Sequence, residues 1–195
     1  MAEATASPDT GICPGESDHR AVVGRSLRGF TGVGYDKGRP LLVQAAWFAV
    51  LHLVFLKWWF PARWRPAVLR AFGARIGRRV LIRHGVRVHW PWRLSVGDDV
   101  WIGEGAWLLN LRQITIGSDV CVSQGALLCT GSHQPRSPTF EFDNGPIRLE
   151  SGAWVAARAV VLRGVTVGRG AVVGASAVAH SDLAPGEIVT SGGGA

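Results

Sequence analysis

Along the second half of the chain, aliphatic residues recur every six positions. They stand at Ile76, Ile82 and Val88, at Val96, Ile102 and Leu108, and at Ile116, Val122 and Leu128. After a gap they return as Leu149, Val155, Val161, Val167 and Val173. A small or β-branched residue sits four places after most of them, as at Val86, Ala106, Ala126, Ala159 and Ala177. Glycine often follows directly (Gly77, Gly97, Gly103, Gly117, Gly168, Gly174). Neither a strand's period of two nor a helix's 3.6 fits this spacing, whereas a fixed hexapeptide period marks a parallel β-helix. Each hexapeptide supplies one short strand and one turn, so three close a triangular coil of about 18 residues with the aliphatics stacked inward. The small residues and glycines are expected to let the corners turn tightly. The triplets begin at Ile76, Val96 and Ile116, which leaves two extra residues in each of the first two coils. Those are expected near Trp92-Arg93 and Ile114-Thr115; the third coil, 116–133, has none.

The period breaks once, over 134–148 (QPRSPTFEFDNGPIR), a stretch rich in Pro, Asn and Gly. An irregular loop inside a regular solenoid is a natural binding edge, although a tolerated insertion would look the same. Before the repeats, Leu41 to Phe60 (LLVQAAWFAVLHLVFLKWWF) reads as one apolar helix. Gln44, His52 and Lys57 interrupt it, and Trp58, Trp59 and Trp64 with Arg63, Arg65 and Arg70 follow at its end. That edge suits an interfacial helix, and the same run also suits a helix covered by protein; a membrane span fits less well. Pro61 and Pro66 are expected to break the chain before a short helix over Ala67–Phe72. The organisation is then a flexible leader (1–24), a segment with the two helices (25–75), the β-helix (76–190) and a tail (191–195).

Composition narrows the class. Of 195 residues 47% are apolar and 18% charged, which argues against a disordered chain. The net charge of +7 is unevenly placed: from Lys37 to Gly97 there are twelve Lys/Arg and no Asp or Glu. Such a block fits an anionic partner, or simply a solvated surface; no recognition helix or aromatic platform accompanies it, so nucleic acid is not expected. Three cysteines (Cys13, Cys121, Cys129) form no even disulfide set, and residues 1–20 hold no apolar signal core. Both point to the cytoplasm, with peripheral attachment to its membrane left open by the apolar helix.

Six histidines are present: His19, His52, His84, His89, His133 and His180. His133 closes the third coil immediately before the loop, where a neutral imidazole is placed to take a proton from a bound hydroxyl. Cys129, four residues earlier, suggests an acyl-thiol step but fits a small core residue better. His84 and His89 would suit a zinc site only with a third ligand, and His133 lies too many coils away.

Thr130-Gly131-Ser132-His133, the register of the repeats and Gly152-Ala153-Trp154-Val155…Gly164-Val165-Thr166-Val167-Gly168 resemble the hexapeptide-repeat acetyltransferases. Arg28-Gly29-Phe30, Phe72-Gly73-Ala74-Arg75-Ile76-Gly77 and Pro91-Trp92-Arg93-Leu94-Ser95-Val96-Gly97 extend the likeness to the colanic-acid type of exopolysaccharide O-acetyltransferase. The resemblance implies a mainly β fold, a left-handed parallel β-helix with N-terminal helices. It also implies acetyl transfer from acetyl-CoA to a sugar hydroxyl, with no metal and with His133 as general base. Asn110 would contact the acceptor, a sugar or lipid-linked oligosaccharide. Trp154, Ala157, Ala175, His180 and Ser181 would line the coenzyme groove, and the active assembly would be a homotrimer. Against the family pattern, His180-Ser181-Asp182 and the glycine-rich ending lack the usual basic residues, so Arg158, Arg163 or Arg169 is expected to meet the coenzyme phosphates. Two alternatives stay beside this reading: a non-catalytic scaffold that binds membrane or glycolipid, and a metalloenzyme of the gamma carbonic anhydrase type.

Overall fold

The computed structural model describes residues 26–192. The expected leader, with Cys13 and His19, and the last residues of the tail lie outside them. From Arg75 to Val189 the chain winds as a three-sided prism whose faces are parallel sheets of five, six and five strands. The first face runs from Arg75–Ile76 to Thr166–Val167, the second from Leu81–Ile82 to Ile188–Val189, and the third from Arg87–Val88 to Val178–Ala179. Equivalent positions stack directly, as in Ile82 on Ile102 on Val122 on Val155 on Val173. Of the fourteen periodic aliphatics, all but the half-buried Ile76 of the first coil are buried, and the small residues four places on fill the corners behind them.

The glycines that follow the aliphatics work differently from expectation. Gly103 and its equivalents have ordinary negative φ; what they supply is clearance, because a Cβ on Gly103 would stand 2.6 Å from Gln124 N in the next coil. The left-handed turn residues are others, including Gly85, Gly105 and Gly125 in one column, continued by Arg158 and Ser176.

The extra residues of the first coil form a 3₁₀ turn, Pro91–Arg93. Those of the second fall at Leu111-Arg112 rather than at Ile114-Thr115, which are already strand. Buried polar side chains pin both bulges. Asn110 accepts from Trp90 N (2.9 Å) and donates to Trp90 O (2.5 Å) and Arg93 O (3.1 Å). Thr130 accepts from Arg112 N (3.0 Å) and donates to Leu109 O (2.8 Å).

The apolar helix is shorter than expected. α1 (Leu41–Val50) passes into one π-type turn, Leu51–Phe55, and stops before Lys57. Arg65, itself buried, ends it by donating to Phe55 O (3.2 Å) and Lys57 O (2.8 Å). α2 (Arg65–Ala71) starts two residues earlier than expected, because Pro66 occupies its first turn, where no amide donor is needed. Among the described residues no helix is long and apolar enough to cross a membrane. Trp47 seats α1 on the prism, its indole donating to Val88 O (3.1 Å) and His89 O (3.0 Å).

Candidate functional site

The third coil ends at the edge between the third and first faces. There the chain leaves the prism at His133 and rejoins it in register, Ile147 pairing with Ile114. The loop therefore ends at Pro146; Ile147 and Arg148 belong to a strand. It is pinned rather than loose. His133 bridges Phe142 in antiparallel fashion, Gln134 N donates to Glu141 O and Asp143 N to Ser132 O (both 2.8 Å). Asp143 pairs with Arg163, and Asn144 Oδ1 accepts from Ser132 N (3.1 Å). Asn144 Nδ2 is the buried side-chain polar atom left without a partner at this corner.

The arm before α1 closes over the loop. Glu141 accepts from Thr31 N and Thr31 Oγ1 (both 3.0 Å) and from Gly32 N (3.2 Å). These donors, the Thr31 amide first, hold its carboxyl below the usual glutamate range. Phe30 packs edge-on against His133 (5.7 Å) and Phe142 (5.1 Å).

His133 itself is half-buried, its ring stacked on Phe140 (4.3 Å, 6°) and Phe142 (5.1 Å). Its Nδ1 lies 2.8 Å from Phe140 O. A carbonyl only accepts, so Nδ1 carries the proton, and the neutral ring keeps its lone pair on Nε2. A base fixed in tautomer and plane by one hydrogen bond and three aromatic rings can abstract a proton from a hydroxyl brought to Nε2.

The other expected site residues divide between places. His180 shares the His133 edge, lining a small cleft with Gly131, Ser132, Leu162 and Arg163; Ser181 follows it, exposed. Ala157 and Ala175 stack on the opposite edge of the third face, Ser176 N donating to Ala157 O (2.9 Å). Trp154 stands half-exposed on the second face, its indole donating to Ser123 Oγ (2.9 Å). One chain alone does not bring Ala157 and Ala175 to His133. Asn110 is a correction: it faces the interior with no exposed surface and its amide is spent on backbone, so it does not reach an acceptor. Of the three arginines, Arg163 is engaged by Asp143 and Arg169 lies on another edge, while exposed Arg158 adjoins Ala157. Cys129 Sγ donates to Gly131 O (3.2 Å) as a half-buried packing group.

The histidines do not converge. His84 Nε2 lies 3.1 Å from Glu104, and His89 packs on Trp90, where burial and then Lys37 and Arg93 disfavour its charged form. Among the described residues no three His, Cys, Asp or Glu side chains gather as a metal site. The aromatic cage of His133 was the feature not read from sequence. Its only local signal is Phe140-Glu141-Phe142, two rings flanking one residue in the loop.

No protein-family model matches the chain. It is 40% identical over 172 residues, 86% of this chain and 92% of the relative, to the protein named colanic acid biosynthesis acetyltransferase WcaF in Escherichia coli K12. An acetyltransferase of Schizosaccharomyces pombe is 37% identical over 81 residues, 40% of this chain and 39% of the relative. Among solved structures, a hexapeptide-repeat acetyltransferase of Vibrio cholerae complexed with acetyl-CoA superposes with TM-score 0.71 at 22% identity, covering 83% of this chain and 90% of that one. A galactoside acetyltransferase in complex with coenzyme A gives 0.68 at 17% identity, covering 75% of each. These two show the shared fold. With a prism built on hexapeptides throughout and a relative this similar along nearly its whole length, the chain belongs to the hexapeptide-repeat acetyltransferases and is related to the colanic acid biosynthesis enzyme WcaF.

Proposed function

We propose that the chain transfers an acetyl group from acetyl-CoA to a hydroxyl of a sugar, free or lipid-linked, in exopolysaccharide biosynthesis in the cytoplasm. The observation that carries this reading is the 2.8 Å approach of His133 Nδ1 to Phe140 O: a carbonyl can only accept there, which leaves Nε2 as the atom to act as base. Nε2 takes the proton of the acceptor hydroxyl as its oxygen attacks the thioester carbonyl. Backbone N–H groups at the corner stabilise the oxyanion; the carbon–sulfur bond then breaks, and the imidazolium returns the proton to the departing coenzyme thiolate. No metal has a role in these steps.

The coenzyme runs past Trp154, Ala157 and Ala175 toward His180 and Ser181, with Arg158 meeting its phosphates. Because Ala157 and Ala175 lie an edge away from His133, a homotrimer that sets one subunit's edge beside its neighbour's assembles the whole site. The relative's name and the coenzyme-bound neighbours support the donor and the biosynthetic setting.

The test is consumption of acetyl-CoA against a panel of sugars, nucleotide sugars and lipid-linked oligosaccharides, comparing wild type with His133→Ala. Acceptor-dependent turnover that the variant loses supports the reading. Turnover unchanged in the variant removes His133 as base, and no turnover with any acceptor favours a binding scaffold.

A further inference from the structure

We propose that the N-terminal end of the prism docks on an anionic lipid surface through the outer face of α1 and the turn that follows it. The inner face of this helical run is a narrow stripe, Gln44, Trp47, Leu51 and Phe55, all buried. Its outer face carries Leu41, Leu42, Ala45, Ala49 and Leu53, all exposed, with His52 the polar residue among them. Leu42 is 84% exposed and Trp58, just beyond, 80%. A helix on a solvated surface normally turns polar residues outward. This one turns leucines and alanines outward and ends in the exposed Trp58, Trp59 and Trp64, residues suited to the headgroup layer.

Charge selects the occupant. Lys57, Arg63, Arg75 and Arg83 are exposed, and no carboxylate among the described residues pairs with any of them. The acids that flank this block in the sequence, Asp36 on one side and Asp98 and Asp99 on the other, are paired with Arg93, Arg78 and Arg79. An apolar face on the same segment and first coil as these unpaired cations matches anionic headgroups over acyl chains, and two such signals together hold a protein where either alone is marginal. A second copy meeting it face to face would oppose cation to cation. The run is too short to span, so it lies in the interface plane. Since Trp47 fastens α1 to the first coil, docking sets that coil near the lipid. His133 ends the third coil, two strand spacings further, about 10 Å along the prism. That height suits a saccharide presented on a lipid carrier; this last step rests on the acetyl-transfer reading, whereas the docking does not.

Co-sedimentation of the full chain with phosphatidylglycerol vesicles, and with phosphatidylcholine vesicles as control, tests it. At low salt the protein pellets with the anionic vesicles and hardly with the neutral ones, and about 1 M salt releases most of it. Leu42→Glu with Leu53→Glu cuts the bound fraction about tenfold, while the melting temperature and turnover on a soluble sugar stay at wild-type values. Arg63→Glu weakens low-salt binding several-fold without altering the melt. Absence of binding to anionic vesicles at low salt, or binding unaffected by the double variant, overturns the proposal. So does a double variant that sediments as a smaller species without lipid, since the face would then lie between copies.

Discussion

Replacing His133 by alanine removes the lone pair at Nε2 but none of the core rows. Turnover is expected to fall by about 10² to 10⁴, the usual worth of a general base, with the melting temperature and the KM for acetyl-CoA little changed. Steady-state kinetics beside a thermal melt checks both halves. Arg158 separates from it kinetically: if it meets the coenzyme phosphates, Arg158→Ala raises the KM for acetyl-CoA and leaves kcat alone. A dephosphorylated coenzyme analogue should be insensitive to that change; equal losses with both would assign Arg158 no phosphate. Asn110 separates from it structurally. Asn110→Ala takes this partner from the Trp90 amide and the Arg93 carbonyl, while Trp90 O keeps the Arg93 amide, at about 1–3 kcal/mol for each buried group left unpaired. A urea titration should show that loss, and activity per folded molecule should persist. A corner asparagine is the same letter whether it faces the acceptor or the core, which is why its role was not legible from sequence.

Elements obey the repeat wherever the repeat is unbroken. The row that starts at Ile82 and Ile102, and the row in which Val161 lies between Leu128 and Ala179, were legible because a uniform period admits one register. Val161→Asp puts an unpaired carboxylate into a position with no exposed surface and is expected to abolish the cooperative unfolding transition. Gly103→Ala is milder: the next coil must yield to admit the methyl, costing about 1–3 kcal/mol in a denaturant titration. Where elements end was less legible. α1 stops because Arg65 reaches back to Phe55 O and Lys57 O, a contact that no periodicity encodes. The clamp of Glu141 on Thr31 joins residues 110 positions apart and was equally invisible. Its folded carboxyl is depressed, so the clamp's contribution is complete above the ordinary glutamate range and is lost as pH falls through the lowered value. The Thr31 and Gly32 amide resonances should therefore move with a midpoint below that range, and Glu141→Gln should remove the transition.

For the whole molecule, the distribution of site residues over two edges makes a prediction about mixtures. If His133 of one subunit serves the Ala157–Ala175 edge of its neighbour, His133→Ala and Ala175→Trp chains are each inactive alone. Co-refolded, they should regain part of the activity, because some interfaces then pair two intact halves. A mixture as dead as its parents, or a monomer in sedimentation, contradicts the shared site. The sequence alone did not place those edges; that took the coil geometry, because the number of extra residues in each coil decides which corner a given position reaches.

The way the chain leaves the prism at His133 and returns at Ile147, still opposite Ile114, bears on how such proteins diversify. The coils above and below the excursion stack as though nothing had been inserted between them. Lengthening a surface loop costs little, about 0.6 kcal/mol for each doubling. Stretches of other length and sequence can therefore be spliced between His133 and Phe140 with the scaffold intact, provided Phe140 to Asn144 keep their contacts with His133, Thr31, Ser132 and Arg163. Acceptor choice becomes an exchangeable cartridge, and grafting the corresponding stretch from a relative should move sugar preference while the melting temperature stays within a few degrees of the parent.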